Sequence, residues 1–185
     1  MQLRNSQQAY GAIAMFTHWT TAVCVLAAWL IGTFMDVLPR GPARGAGIFV
    51  HMSLGLAIFI LVVARLAWRH LDPPPAAIPA PGLEPWLGLA AKAGHWLLYI
   101  LLVATPILGI VYQFANGRAL PVFGLFDIAS PWVQDREFAR SVREIHELSA
   151  DALGLVALGH VAAACFHHWG LRDRTLTRML PLIAR

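Results

Sequence analysis

The stretch Gly47–Trp68, GIFVHMSLGLAIFILVVARLAW, decides the fold. At about 1.5 Å of rise per residue, a helix of roughly 20 apolar residues crosses a hydrocarbon core about 30 Å thick. Only His51 and Arg65 interrupt this run with ionisable groups. Three further apolar runs flank it, at about residues 12–35, 87–114 and 142–169. Together the four runs take up most of the 185 residues, of which 58% are hydrophobic and 13% charged, a composition outside the range of ordinary soluble domains. The expected architecture is all-α: an integral membrane four-helix bundle of antiparallel up-down topology, forming one domain over residues 1–185. The net charge of +4 does not point to nucleic acid, because the arginines gather at the ends of the apolar runs, where lipid headgroups and small anions are the natural partners.

The connections fit this reading. Asp36, Pro39, Arg40, Gly41, Pro42 and Arg44 interrupt the chain after the first run, and the proline-rich stretch Pro73–Pro85 predicts a stiff, extended link between the second and third. Thr105-Pro106 predicts a kink inside the third run. The segment Asn116–Arg140 mixes Phe123, Leu125, Phe126 and Trp132 with glycine, proline and charge, and reads as a cap lying in the membrane interface. Met1–Gly11 is polar and lacks a small-residue cleavage site, so the first run is expected to be a retained membrane helix. Cys24 and Cys165 sit in apolar runs without a CxxC or CxxCH pattern, as buried free thiols would. On the amino-terminal side of the first span lie Arg4, Arg65, Arg69, Lys92, Arg172, Arg174, Arg178 and Arg185; on the other lie Arg40, Arg44, Arg118, Arg136, Arg140 and Arg143. The positive-inside rule then places both termini in the cytoplasm.

Five histidines fall within or at the margins of the runs: His18, His51, His95, His146 and His160. Ionisable groups at such depths are functional candidates. The first four each lie near the amino-terminal end of their own span, so in an antiparallel bundle His18 and His95 share the inner level and His51 and His146 the outer. His160 follows His146 by a rise of about 21 Å on nearly the same helix face, which gives the fourth helix an imidazole at both levels. One histidine alone at a membrane interface is more simply a headgroup contact or a hydrogen-bonded core residue. Five at two depths suit two bis-histidine haems, because facing helices supply the axial nitrogens and an apolar slot for the porphyrin. A bare divalent ion is a poorer account, since no HExxH or carboxylate-rich pattern accompanies them. Spacing leaves both His18 and His95 as partners for His160. Gly55, Gly109 and Gly154 offer clearance for flat rings, although ordinary helix packing explains them as well.

Thr17-His18-Trp19, Val50-His51-Met52-Ser53-Leu54-Gly55, Gly94-His95-Trp96-Leu97-Leu98-Tyr99 with Pro106, and Ile145-His146-Glu147 followed by Gly159-His160-Val161 through His167-His168 together make the chain similar, over nearly its whole length, to the bacterial cytochrome b561 family. The resemblance implies a di-haem protein of the bacterial inner membrane that exchanges electrons with ubiquinone, some members oxidising superoxide at the periplasmic face. It also implies the ligand sets: His18 and His160 for the inner haem b, His51 and His146 for the outer. His95 is then free to hydrogen-bond a quinone and deliver a proton, with His167 a second candidate. Arg65 and Arg143 are positioned to pair with haem propionates, though Arg65 could equally snorkel to headgroups. Glu147 and Asp151 suit hydrogen bonding near the start of the fourth helix, and His70 and His168 carry no assignment.

The expected function is that of a quinone-linked oxidoreductase taking electrons from a periplasmic redox partner, with superoxide a specific candidate. The competing class is a cytochrome b membrane-anchor subunit of a larger oxidoreductase such as a hydrogenase or formate dehydrogenase. A third is a haem-free transporter bundle using its histidines as a proton relay.

Overall fold

The computed structural model describes residues 2–78 and 86–180, so the Pro79–Pro85 part of the proline-rich link and the carboxy-terminal Arg185 lie outside the described residues. Four helices carry the chain: α1 (Ala12–Thr33), α2 (Pro42–Leu71), α3 (Trp86–Ala115) and α4 (Arg136–Cys165). All four are long and apolar enough to cross a membrane. Their outward side chains confirm which solvent they need. Phe16, Val23, Trp96, Leu148 and Leu155 stay largely exposed, which in water would be an apolar liability and in lipid is matched.

Helices α2 and α4 begin ahead of the apolar runs, at Pro42 and Arg136. Each opens on a start signal outranked by hydropathy in the sequence: Pro42 suits the first helical position, and Asp135 Oδ1 accepts from the N–H groups of Glu137 and Phe138, at 3.1 and 3.0 Å. Pro106 lies inside a continuous α3. The cap segment contains a short hairpin, β1 (Leu120–Val122) paired antiparallel with β2 (Phe126–Ile128), which periodicity over three residues cannot reveal. Its turn places Phe123 at φ 52° and Gly124 at φ 72°, closed by Leu125 N–H donating to Val122 O at 3.0 Å. Two successive positive φ values are the hairpin-turn signature, and Phe123 adopts one without glycine's freedom. Cys24 and Cys165 are free thiols, half-buried instead of buried, as helix faces shared with lipid allow.

The described chain forms two compact units, each drawing on all four helices. Unit 1 comprises the described residues within 1–21, 61–99 and 155–185; unit 2 comprises Ala22–Ile60 and Ile100–Gly154. Met15 and Val62 are the fully buried side chains of unit 1, while Ile58, Leu102, Val142 and Leu153 help form the core of unit 2. In unit 1 the terminal segments are tied together through Arg178. Its Nε donates to Gln8 O at 2.6 Å, Nη2 to Gln7 O at 3.2 Å and Nη1 to Ala76 O at 3.0 Å. Trp19 Nε1 adds a bond to Met179 O at 2.8 Å. Arg178→Ala is therefore expected to destabilise the protein by about 1–2 kcal/mol, since exposed bonds from a guanidinium to carbonyls each contribute modestly. Thermal unfolding in detergent checks this: a drop of roughly 2–6 °C is expected, and Arg178→Lys should recover only part of it.

Candidate functional site

Unit 2 brings His51 of α2 and His146 of α4 together, ring centres 6.2 Å apart and ring planes crossed at 82°. Each ring rests on a neighbouring helix in the same way. His51 Nδ1 lies 2.9 Å from the carbonyl oxygen of Ala28 on α1, and His146 Nδ1 lies 3.0 Å from that of Thr105 on α3. A carbonyl can only accept, so each Nδ1 carries the proton and each Nε2 keeps its lone pair for a metal. A Cβ on Gly32 would fall 3.1 Å from His51 Cε1, and one on Gly109 3.2 Å from His146 Cε1. Thr105 Oγ1 donates to Ser149 Oγ at 3.1 Å, which donates to the His146 carbonyl at 2.9 Å, joining α3 to α4. Asp151 accepts from Trp29 Nε1 at 3.3 Å, with Gly154 beneath that indole. Gly55, by contrast, has open space where a Cβ would stand.

In unit 1, His160 of α4 has two imidazole neighbours. His18 lies at 6.2 Å with planes at 70°, His95 at 5.2 Å with planes at 68°. Arg65 Nη1 donates to His18 Nδ1 at 2.9 Å, and its guanidinium carbon stands 6.0 Å from the Tyr99 ring centre. His167 falls in a π-helical turn, Phe166–Gly170, that continues α4. Its Nδ1 meets Asp173 Oδ2 at 2.5 Å, while Asp173 Oδ1 accepts from Thr175 N at 2.7 Å. Burial pushes the Asp173 carboxyl up, but hydrogen bonds from His167 and Thr175 outweigh it and hold the group below the usual carboxylate range. Arg143 is ion-paired with Glu147 at 2.7 Å, both half exposed.

An iron gripped by two imidazoles sets their ring centres roughly 6.2 Å apart, from about 2 Å per metal–nitrogen bond and about 1.1 Å more to each ring centre. The His51–His146 and His18–His160 separations, both 6.2 Å, match that span, whereas the 5.2 Å between His95 and His160 is too short for it. Among the described residues no group of three or more His, Cys, Asp or Glu is arranged for a bare metal ion. A macrocycle that brings its own equatorial nitrogens suits paired imidazoles better.

Axial imidazoles carried on membrane-spanning helices define the class of membrane b-type cytochromes. The chain belongs to the prokaryotic cytochrome b561 family, whose sequence profile matches residues 9–182. It is 32% identical to cytochrome b561 homolog 2 of Escherichia coli (strain K12), covering 97% of this chain and 95% of that protein. It is 31% identical to a probable superoxide oxidase CybB of Yersinia pestis, over 93% and 96% of the two chains, and 28% identical to cytochrome b562 of Cereibacter sphaeroides, over 94% and 96%. Membership makes this a haem b-binding, multi-pass membrane protein of electron transport.

Several participants have no signature in the sequence. The carbonyls of Ala28 and Thr105 belong to backbone that any residue supplies. Gly32 resembles other small residues in membrane helices, and the Asp173–His167 contact depends on a turn that hydropathy does not describe.

Proposed function

We propose that this protein holds two haem b groups and moves single electrons from a periplasmic donor, with superoxide the leading candidate, to ubiquinone across the bacterial inner membrane. The observation that carries this reading is the pair of 6.2 Å imidazole separations, one in each unit. In it, His51 and His146 hold the haem on the periplasmic side and His18 and His160 hold the haem on the cytoplasmic side, with both termini cytoplasmic. Haem b, when bound, supplies reversible one-electron chemistry. The chain supplies the axial nitrogens, their orientation and a dry surround.

On the periplasmic side of this proposal, Arg40, Arg44, Arg118, Arg136, Arg140 and Arg143 raise the local concentration of a small anion. Asp36 and Glu147 partly offset Arg44 and Arg143, at 3.3 and 2.7 Å, so the remaining arginines carry more of the attraction. Each superoxide gives up one electron and leaves as dioxygen; ubiquinone takes two electrons and two protons to become ubiquinol. On the cytoplasmic side, His95 donates a hydrogen bond to a quinone carbonyl and delivers a proton, with His167, oriented by Asp173, as the second donor. Arg65 is the cation for a propionate, reached from its place beside His18. The similarity to a probable superoxide oxidase supports superoxide as the donor.

Mixing the oxidised protein with a superoxide source tests this. The haem absorbance should change to the reduced form rapidly, more slowly at high salt, and more slowly when Arg140 and Arg143 are neutralised. Absence of reduction where a chemical reductant succeeds removes superoxide as donor. Indifference to salt and to both arginines removes the steering.

A further inference from the structure

We propose that Gly32 and Gly109 are positioning residues, each forming with a backbone carbonyl four residues earlier a ledge that fixes the plane of one histidine ring, so that His51 and His146 stay crossed. This rests on the reading that both rings ligate the same iron. The two ledges match in detail. Ala28 O and Gly32 receive His51; Thr105 O and Gly109 receive His146; in each the ring gives Nδ1–H to the carbonyl and lays Cε1 over the glycine. Four residues is one helical turn, so carbonyl and glycine fall on one face and present a single edge to the incoming ring.

The glycines are the exacting part. Alanine favours a helix over glycine, so a mid-helix glycine needs a reason in its contacts. Here a Cβ would stand 3.1 or 3.2 Å from Cε1, closer than ordinary van der Waals contact. Cε1 is the atom between the two ring nitrogens. Nδ1 is tethered to a carbonyl and Nε2 points to the metal, so Cε1 cannot retreat without bending one of those bonds or turning the ring. With planes at 82°, two imidazoles bound to one iron would donate π density into different d orbitals and keep that orbital pair nearly degenerate. Turning either ring lifts the degeneracy. Ring angle thus belongs with axial ligation and hydrogen bonding among the levers that tune a haem.

The test uses purified holoprotein with Gly32→Ala, Gly109→Ala and, as control, Gly45→Ala, an exposed position in the polar first turn of α2 whose added Cβ meets nothing within 4 Å. Low-temperature electron paramagnetic resonance of the oxidised protein reads the ring angle through the low-field feature of each low-spin haem, and an optical redox titration reads the midpoint potential. Both ledge variants should shift the low-field feature and potential of one and the same haem, leaving the other haem and the Gly45→Ala spectrum unchanged. Unaltered signals in both ledge variants overturn the proposal. Should Gly109→Ala fail to accumulate, adding His146→Ala, which removes the obstructed ring, should restore accumulation; failure to restore it also overturns the proposal. If instead His51→Ala and His146→Ala keep every haem, the ligand assignment itself falls, an outcome distinct from failure of the ledges alone.

Discussion

His146→Ala is expected to purify with one haem, against the two proposed for the parent protein. In the proposed assignment the substitution removes one of two axial nitrogens and leaves the other, that of His51, held by Ala28 O and unable to supply a second bond. His160 lies on the same helix about 21 Å further on and keeps its own partner in unit 1. Thr105 O loses the ring's N–H, and Ser149 Oγ still bonds the backbone of residue 146, so the α3–α4 link persists and the fold should survive. Loss of the second-site hydrogen bond should cost about 1 kcal/mol, far less than would unfold a bundle of this size. The haem-to-protein ratio, with reduced-minus-oxidised spectra, decides. A parent ratio of one in well-folded protein removes the two-site assignment, and a variant that keeps both haems removes His146 as a ligand.

What the sequence discloses and what it withholds follow from the range of the forces involved. Hydropathy is summed over a whole span, so the runs around His18, His51, His95 and His160 announce four membrane helices without any knowledge of their packing. Helix periodicity places His146 and His160 on nearly one face for the same reason. The ends are less legible: Pro42 and Arg136 start helices in polar sequence, where capping and not burial sets the boundary. The hairpin at Leu120–Ile128 depends on the positive φ of Phe123, which no propensity suggests. Of Gly55, Gly109 and Gly154, the glycines that suggest clearance in the sequence, Gly109 faces the His146 ring and Gly154 the Trp29 indole, contacts that facing helices decide and residue spacing does not. Arg143 pairs with Glu147 one turn away, a local contact available in any helix and enough to hold the guanidinium beside its own helix. Choosing between His18 and His95 for His160 requires a difference of 1.0 Å in ring separation, far below anything residue spacing resolves.

That difference supplies the second large effect. His18→Ala is expected to lose the haem of unit 1, whereas His95→Ala is expected to keep both haems and to slow reoxidation by ubiquinone by roughly 10²-fold, the lower end of what a positioned proton donor contributes. At 5.2 Å from His160 the His95 ring lies closer than the span of an iron held by two imidazoles, which favours His18 as the ligand. Arg65 donates to His18 Nδ1 at 2.9 Å, which puts the neutral ring's proton on Nε2, so in the proposed holoprotein the guanidinium must leave Nδ1, as its proposed pairing with a propionate requires, before Nε2 can bind iron. Stopped-flow reoxidation of the reduced variants by a short-chain ubiquinone, with haem content measured on the same samples, separates ligand from proton donor. Loss of the bis-histidine spectrum in His95→Ala with retention in His18→Ala would reverse the two roles. Unchanged reoxidation in His95→Ala, with both haems present, would move proton delivery to His167, where His167→Ala and Asp173→Asn should then slow the same step.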